Sequence, residues 1–201
     1  MTDAVGRRRM RVTGVVQGVG FRPFVHGLAT GLGLAGFVGN DADGVFLEAQ
    51  GPVSALAELE RRIWREAPSL AVVDALRVEV LDPVRDGLVE PVPLAPDGAG
   101  ADGRGGSAFR IVASGSGAGV TSIPPDTAVC DACLAEMRDP ADRRHGYPFI
   151  ACTHCGPRFT ITTGLPYDRR NTTMVGFPLC PPCRAEYTDP SGRRFHAQPT
   201  A

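Results

Sequence analysis

The sequence predicts an α+β fold with elements in the order β-α-β-β-α-β, followed by a small cysteine-based module. Three observations carry this. Apolar, β-branched runs of strand length alternate with segments whose apolar residues recur every three or four positions. A glycine-rich turn at 18–20 joins the first such run to the first helical pattern. All six cysteines fall in the last third, as the pairs Cys130/Cys133, Cys152/Cys155 and Cys180/Cys183.

The first strand is read over 10–17, a β-branched apolar run. From Phe21 to Leu32, the residues Phe21, Phe24, Val25, Leu28, Ala29 and Leu32 lie on one helical face. Pro23 suits the first turn, and Gly31 or Gly33 ends the helix. Strands over 34–40 and 45–50 are joined by Asp41-Ala42-Asp43-Gly44, a hairpin signal. Pro52 opens a second helix over 52–66, with Val53, Leu56, Leu59, Ile63 and Trp64 along its apolar face. A strand over 72–81 follows, and residues 109–113 form a short last one. Between them, 82–107 is rich in Pro, Gly and Asp and reads as a flexible excursion. This is the split-βαβ, ferredoxin-like plan, occupying 9–114. A linker spans 115–123, and the cysteine module occupies 124–201.

Composition narrows the chemistry. All 21 basic residues are arginine. The absence of lysine excludes a P-loop lysine, a Schiff base and a lysine general base. Any charged side-chain contact to phosphate therefore falls to the planar arginine fork. The net charge of −1 argues against nucleic-acid binding by bulk charge. Arg143, Arg144, Arg169, Arg170, Arg193 and Arg194 lend that reading some support, but aromatic residues are sparsely interleaved. No apolar run approaches the roughly 20 residues of a membrane helix. The first eleven residues lack the apolar stretch of a secretory signal. A cytoplasmic location is the expectation.

Two constellations carry chemistry. In the first, Gly18 and Gly20 let the chain curl between strand and helix, so that the N–H groups over Gln17, Gly18, Val19, Gly20, Phe21 and Arg22 form an anion cradle at a helix N-terminus. Arg22 is placed to close over a phosphate with a bidentate contact. Asn40 ends the neighbouring strand, and its amide can position a water. His26, one turn on, reads as a partly buried structural histidine. In the second, Cys130-x2-Cys133-x18-Cys152-x2-Cys155 has the spacing of a tetrahedral four-thiolate Zn2+ site.

The cysteine segment repeats at a spacing of 50. Residues 130–144 and 180–194 share C-x-x-C-x-A-E-x-x-D-P-x-x-R-R. In this register the partner of Cys152 would be residue 202. The finger at 130–155 is thus expected to be complete, and the one from 180 truncated, with Cys180 and Cys183 as an incomplete second zinc site and a poorly ordered tail. Interleaving, with Cys180/Cys183 completing a site begun by an earlier pair, is the alternative. His196 is read as a surface histidine, or as a makeshift third ligand for the orphan pair.

The run Gly14-x-Val-Gln-Gly-Val-Gly-Phe-Arg22, with Gly-Phe-Val-Gly-Asn40 and Asp43-Gly44-Val45, resembles the acylphosphatase family over 10–80. The resemblance implies a fold and a reaction, the hydrolysis of an acyl phosphate. It also implies that Arg22 binds the phosphoryl group and that Asn40 orients the attacking water. With the paired fingers, Cys152-Thr-His-Cys-Gly-Pro-Arg158, Leu165-Pro-Tyr-Asp-Arg169 and Arg193-Arg-Phe-His-Ala197, the chain from residue 10 resembles the HypF family of carbamoyltransferases of NiFe-hydrogenase maturation. That resemblance implies carbamoyl phosphate as substrate, structural zinc, and, for a full-length member, a HypE-type acceptor protein. It also implies a later YrdC-like domain that uses ATP, which has no counterpart in these residues. The acyl-phosphate step, expected of residues 1–115 alone, and zinc binding are what this chain can carry. The alternative is a zinc-dependent docking module with an idle first domain.

Overall fold

The computed structural model describes residues 4–84, 109–115 and 123–200. The excursion from 85 on, and the linker from 116 to 122, lie outside the described residues. Five strands build the first domain: β1 (Val5–Val15), β2 (Ala35–Asp41), β3 (Gly44–Pro52), β4 (Val72–Leu81) and β5 (Phe109–Ile111). They form one sheet with order β4-β1-β3-β2-β5. β2 and β3 are the expected hairpin, and β4 pairs antiparallel with β1. β5 adds parallel to β2.

Helices α1 (Phe21–Gly31) and α2 (Val53–Arg65) cover one face of the sheet. Leu56, Leu59 and Ile63 of α2 are fully buried with Met10, Val12, Val25 and Leu47. Each such aliphatic side chain contributes about 1.5–3 kcal/mol through burial. Trp64 is 50% exposed and Val53 38%, so neither belongs to the core face as expected. A helix turns about 100° per residue, which carries Trp64 off the stripe that Ile63 occupies.

The first strand begins earlier than its apolar run. Arg7 and Arg9, which precede that run, sit opposite Gln50 and Glu48 of β3. Both reach the buried Glu48 carboxylate, Arg7 Nε at 2.7 Å and Arg9 Nε at 3.2 Å. The strand also stops sooner, at Val15, two residues past a register shift between Thr13 and Gly14, and Gln17 lies in the turn that follows.

The cysteine module is built from short pieces: α3 (Asp131–Arg138), α4 (Pro181–Thr188), and four 3-10 turns between them. Each α-helix starts directly after the first cysteine of a pair, Cys130 or Cys180. The tail expected to be poorly ordered is packed instead. Phe195 joins the core of the first domain, and Ala197, Gln198 and Thr200 are buried. It is anchored by apolar contact and by the pairing of Arg193 and Arg194 with Glu136.

Candidate functional site

The turn between β1 and α1 requires two glycines. Gly18 and Gly20 hold φ of 74° and 76°, in the left-handed region that side chains rarely adopt. A Cβ on Gly18 would also stand 2.5 Å from the Cβ of Pro157 in the cysteine module. Gly20 caps α1 with no side-chain hydrogen bond; Phe24 N–H closes the first turn on the Gly20 carbonyl (3.0 Å) and Pro23 has no N–H, so the N–H groups of Phe21 and Arg22 are the ones this helix end can offer an anion.

Gln17 fixes the turn. Its Nε2 donates to the carbonyls of Asp41 (2.6 Å) and Gly44 (3.0 Å), tying the cradle to the β2–β3 hairpin. Its Oε1 accepts the Tyr167 N–H at 3.0 Å. One buried amide therefore joins the phosphate turn to a loop 150 residues away in sequence.

Arg22 is 8% exposed. Its Nη1 donates to Ser114 Oγ at 3.2 Å, and its Nη2 pairs with Asp168 Oδ1 at 2.9 Å. Asn40 is 1% exposed, and its Oδ1 has no hydrogen-bond partner among the described residues. Arg22 and Asn40 line one cavity of about 30 Å³ with Gly18, Gly20 and Phe21 of the cradle. The rest of the wall comes from the cysteine module: Thr153, Tyr167, His196 and Gln198 among others.

His196 is half-buried, lines the cavity, and is not part of the converging ligand group among the described residues. It is the one non-glycine residue with positive φ (53°) among the described residues. Its ring lies 4.6 Å from that of Phe195 and 5.0 Å from that of Tyr187. Burial, then the charges of Arg22 and His26, lowers its pKa to about 3. The imidazole is therefore neutral at physiological pH. His26 is buried, edge-on to Phe109 and Phe195, and burial lowers its pKa too.

The sulfurs of Cys130, Cys133, Cys152 and Cys155 lie within 4.8 Å of one another, and three of the four residues are buried. Four soft donors converging in this way suit a metal ion. The Cys130 N–H points at Cys155 Sγ (3.4 Å), and Cys133 and Cys152 hold the Cys155 thiol well below its ordinary range. Among the described residues these four are the ones that converge, and Cys180 and Cys183 are not in the group. Cys180 is exposed and Cys183 buried, with both terminal nitrogens of Arg143 at 3.4 Å from its sulfur.

Asp168, Thr153 and Gln198 are additions that spacing did not single out, and His196 takes a place other than the two expected of it. Asp168 and His196 fall in the distinctive segments Leu165–Arg169 and Arg193–Ala197, and Thr153 in Cys152–Arg158.

The β1–α1 turn, Arg22 and Asn40 thus line one cavity with residues of the cysteine-cluster finger. The acylphosphatase family profile matches residues 8–87, and the HypF finger profile matches 129–162 and 179–201. The acylphosphatase of Caldivirga maquilingensis is 44% identical over 82 residues, which cover 85% of that protein and 40% of this chain. The chain belongs to the acylphosphatase family, and its acylphosphatase domain is followed by the finger found in HypF carbamoyltransferases. It is 51% identical over 193 residues to carbamoyltransferase HypF of Rhodobacter capsulatus, covering 96% of this chain and 23% of that protein. It is 53% identical over 178 residues to HypF2 of Cupriavidus necator, covering 88% and 20%. A crystal structure of full-length HypF in a phosphate- and nucleotide-bound form superposes with a TM-score of 0.84 at 39% identity, covering 100% of this chain and 24% of that one. The chain thus spans about a quarter or less of the length of these carbamoyltransferases.

Proposed function

We propose that this chain hydrolyses a small acyl phosphate, carbamoyl phosphate, at the Arg22–Asn40 cavity, as the first step of a carbamoyltransferase. The reading rests above all on one observation: a buried arginine fork and an unpartnered buried amide oxygen face the same small cavity beside a helix N-terminus. Residues 9–114 and 124–201 are read as two domains that share this site.

An acyl phosphate is an activated mixed anhydride, so the protein needs chiefly to hold the phosphoryl group and aim a water. The cradle over Gln17–Arg22 and the Arg22 guanidinium bind the phosphoryl oxygens and neutralise their charge. Asn40 Oδ1 accepts a hydrogen bond from the water and directs its lone pair at phosphorus. The new P–O bond forms as the bond to the acyl oxygen breaks, releasing carbamate and phosphate. Asn40 is no base and His196 has too low a pKa to take a proton, so the water proton passes to a phosphoryl oxygen. In a full-length protein, the carbamate would continue to an ATP-dependent step and a HypE-type acceptor.

The Cys130/Cys133/Cys152/Cys155 set is read as a structural zinc site, since tetrathiolate coordination suits Zn2+. Cys180 and Cys183 are read as half of a second. No described helix is long and apolar enough to cross a membrane, and a cytoplasmic location accords with six free thiols. A second reading, a protein-docking module, draws on the exposed Phe149, Phe159, Val175 and Phe177 of the finger.

Phosphate release from carbamoyl or acetyl phosphate by the intact chain tests the first reading. Arg22→Ala is expected to lose at least about 100-fold in kcat/KM, the scale of one strong transition-state donor. Hydrolysis at the wild-type rate by that variant would remove Arg22 from the site, and a wild-type chain that releases no phosphate would favour the docking role.

A further inference from the structure

The catalytic arginine is braced from outside its own domain. A guanidinium as buried as Arg22 must be paired, because desolvated charge is costly. Its carboxylate partner is Asp168 of the finger module, at 2.9 Å, with side chains 9% and 14% exposed. The guanidinium is held on both of its terminal nitrogens: Asp168 and the Tyr167 carbonyl (3.5 Å) take Nη2, and Ser114 Oγ takes Nη1 at 3.2 Å. Arg22 and Tyr167 line the cavity.

The loop bearing Asp168 is itself fixed. Tyr167 is 2% exposed, gives its N–H to Gln17 Oε1 at 3.0 Å, and accepts the Arg158 N–H at its hydroxyl at 3.0 Å. Asn171 closes the loop by donating its N–H to the Asp168 carbonyl (2.8 Å) and Nδ2 to the Pro166 carbonyl (2.8 Å). The same segment therefore locks on to both ends of the cradle motif, Gln17 and Arg22.

From this geometry we infer that Asp168 is a positioning residue for the acyl-phosphate reaction: it holds the Arg22 fork in the plane that grips a phosphoryl group. The inference rests on the Arg22 reading above. It makes the finger a part of the acylphosphatase site, in place of the expectation that residues 1–115 act alone. Arginine's five donors lie in a rigid fork, so holding Nη2 on Asp168 and the Tyr167 carbonyl and one Nη1 hydrogen on Ser114 fixes the direction of the two donors that remain, Nε and the second Nη1 hydrogen.

The test uses the full chain, with acetyl phosphate as substrate and inorganic phosphate as competitive inhibitor. Asp168→Ala is expected to raise KM and the phosphate inhibition constant together by about tenfold, the worth of one charge-assisted hydrogen bond, with a smaller fall in kcat. Asp168→Asn keeps an acceptor oxygen but not the charge, and should fall between wild type and Asp168→Ala. It also serves should the alanine variant not fold. A purely structural role would lower the melting temperature and the active fraction while leaving KM and the inhibition constant unchanged, which overturns the inference. Lower values of both constants also overturn it, since Asp168 would then be a competitor of phosphate. Loss of hydrolysis in Arg22→Ala beside unaltered constants in both Asp168 variants leaves the first reading standing and removes this one. A wild-type chain that neither hydrolyses acetyl phosphate nor binds phosphate removes both.

Discussion

Glu136 and Glu186 stand at the same place in the two copies of the C-x-x-C-x-A-E-x-x-D-P-x-x-R-R repeat, and each accepts the arginine pair of the other copy. Arg193 and Arg194 close on Glu136, while Arg143 (2.9 Å) and Arg144 (2.5 Å) close on Glu186. The same arginines reach across to sulfur, Arg193 to Cys133 and Cys152 (both 3.3 Å), and Arg143 to Cys183 (3.4 Å). The crossing gives the tail a reason to be ordered that a count of cysteines does not contain.

Removing the Glu136 charge leaves the buried Arg194 with only its longer contact to Glu186, at 3.9 Å. Glu136→Gln is therefore expected to destabilise the finger module by about 1–3 kcal/mol, read as a shifted denaturant midpoint. Burial alone would raise the Glu136 pKa, but hydrogen bonds from Arg194 and Arg193 outweigh it and hold it below the ordinary glutamate value of 4.5. A depressed carboxylate pKa means stabilisation that is present above 4.5 and lost as pH falls through the lower folded value. The gap between wild type and Glu136→Gln should accordingly shrink below that pH. A gap that is the same at pH 7 and in acid would show that charge is not the source.

The cysteines should divide by accessibility. Cys180 is exposed, Cys183 is buried beside the Arg143 guanidinium, and the other four converge on one point. In the native, metal-loaded chain, a thiol reagent should modify Cys180 quickly and Cys183 only on unfolding. A chelator should then expose Cys130, Cys133, Cys152 and Cys155 as the module loses its metal and its fold. Labelling of Cys130 or Cys152 as fast as Cys180 before chelation would argue that the four do not form the site.

Local patterns made the first domain legible. Leu56, Leu59 and Ile63 announce a helix face, and Gly18 and Gly20 announce a turn, because spacing and φ preference are properties of neighbouring residues. The Arg22–Asn40 pairing was legible through motif resemblance. What spacing could not show was the roof of the cavity. Asp168 reaches Arg22 from a distant part of the chain, and no local rule links an aspartate in an irregular loop to an arginine in a far-off helix. Arg7 and Arg9 misled for a related reason, since the Glu48 carboxylate that makes them strand residues lies on another strand.

Asn40 offers a separation of stability from activity. Its Oδ1 is a buried acceptor with no partner among the described residues, so the fold gains little from it. Asn40→Ala should change unfolding free energy by no more than about 1 kcal/mol, because it deletes an unpaired group rather than a hydrogen bond. It should lower kcat for acetyl phosphate far more than it raises KM, since the amide aims water rather than holding substrate. A large loss of stability with normal turnover of the folded fraction would reverse this assignment.

His196 is where the roof should set the size of the acyl group. It lines the cavity beside Arg22 and Asn40, and its backbone sits at φ 53°, a conformation that costs a non-glycine residue about 1–2 kcal/mol. Glycine adopts that φ freely, so His196→Gly removes the imidazole without forcing the chain to move. The backbone relief offsets part of the packing that the imidazole makes with the Phe195 and Tyr187 rings, and the variant should fold. Its pH profile should also change. A histidine with a folded pKa of about 3 and an unfolded value of 6.5 costs stability as pH falls between the two, because the unfolded chain takes the proton first. His196→Gly should lose that contribution. On substrates, the wild-type cavity should favour acetyl over benzoyl phosphate, and the variant should shift the ratio of kcat/KM toward benzoyl phosphate by about tenfold, the worth of roughly 1.4 kcal/mol of relieved overlap. An unchanged ratio in a folded variant, with acetyl phosphate turnover intact, would place the acyl group away from His196 and leave the size of the cavity to Thr153 and Gln198.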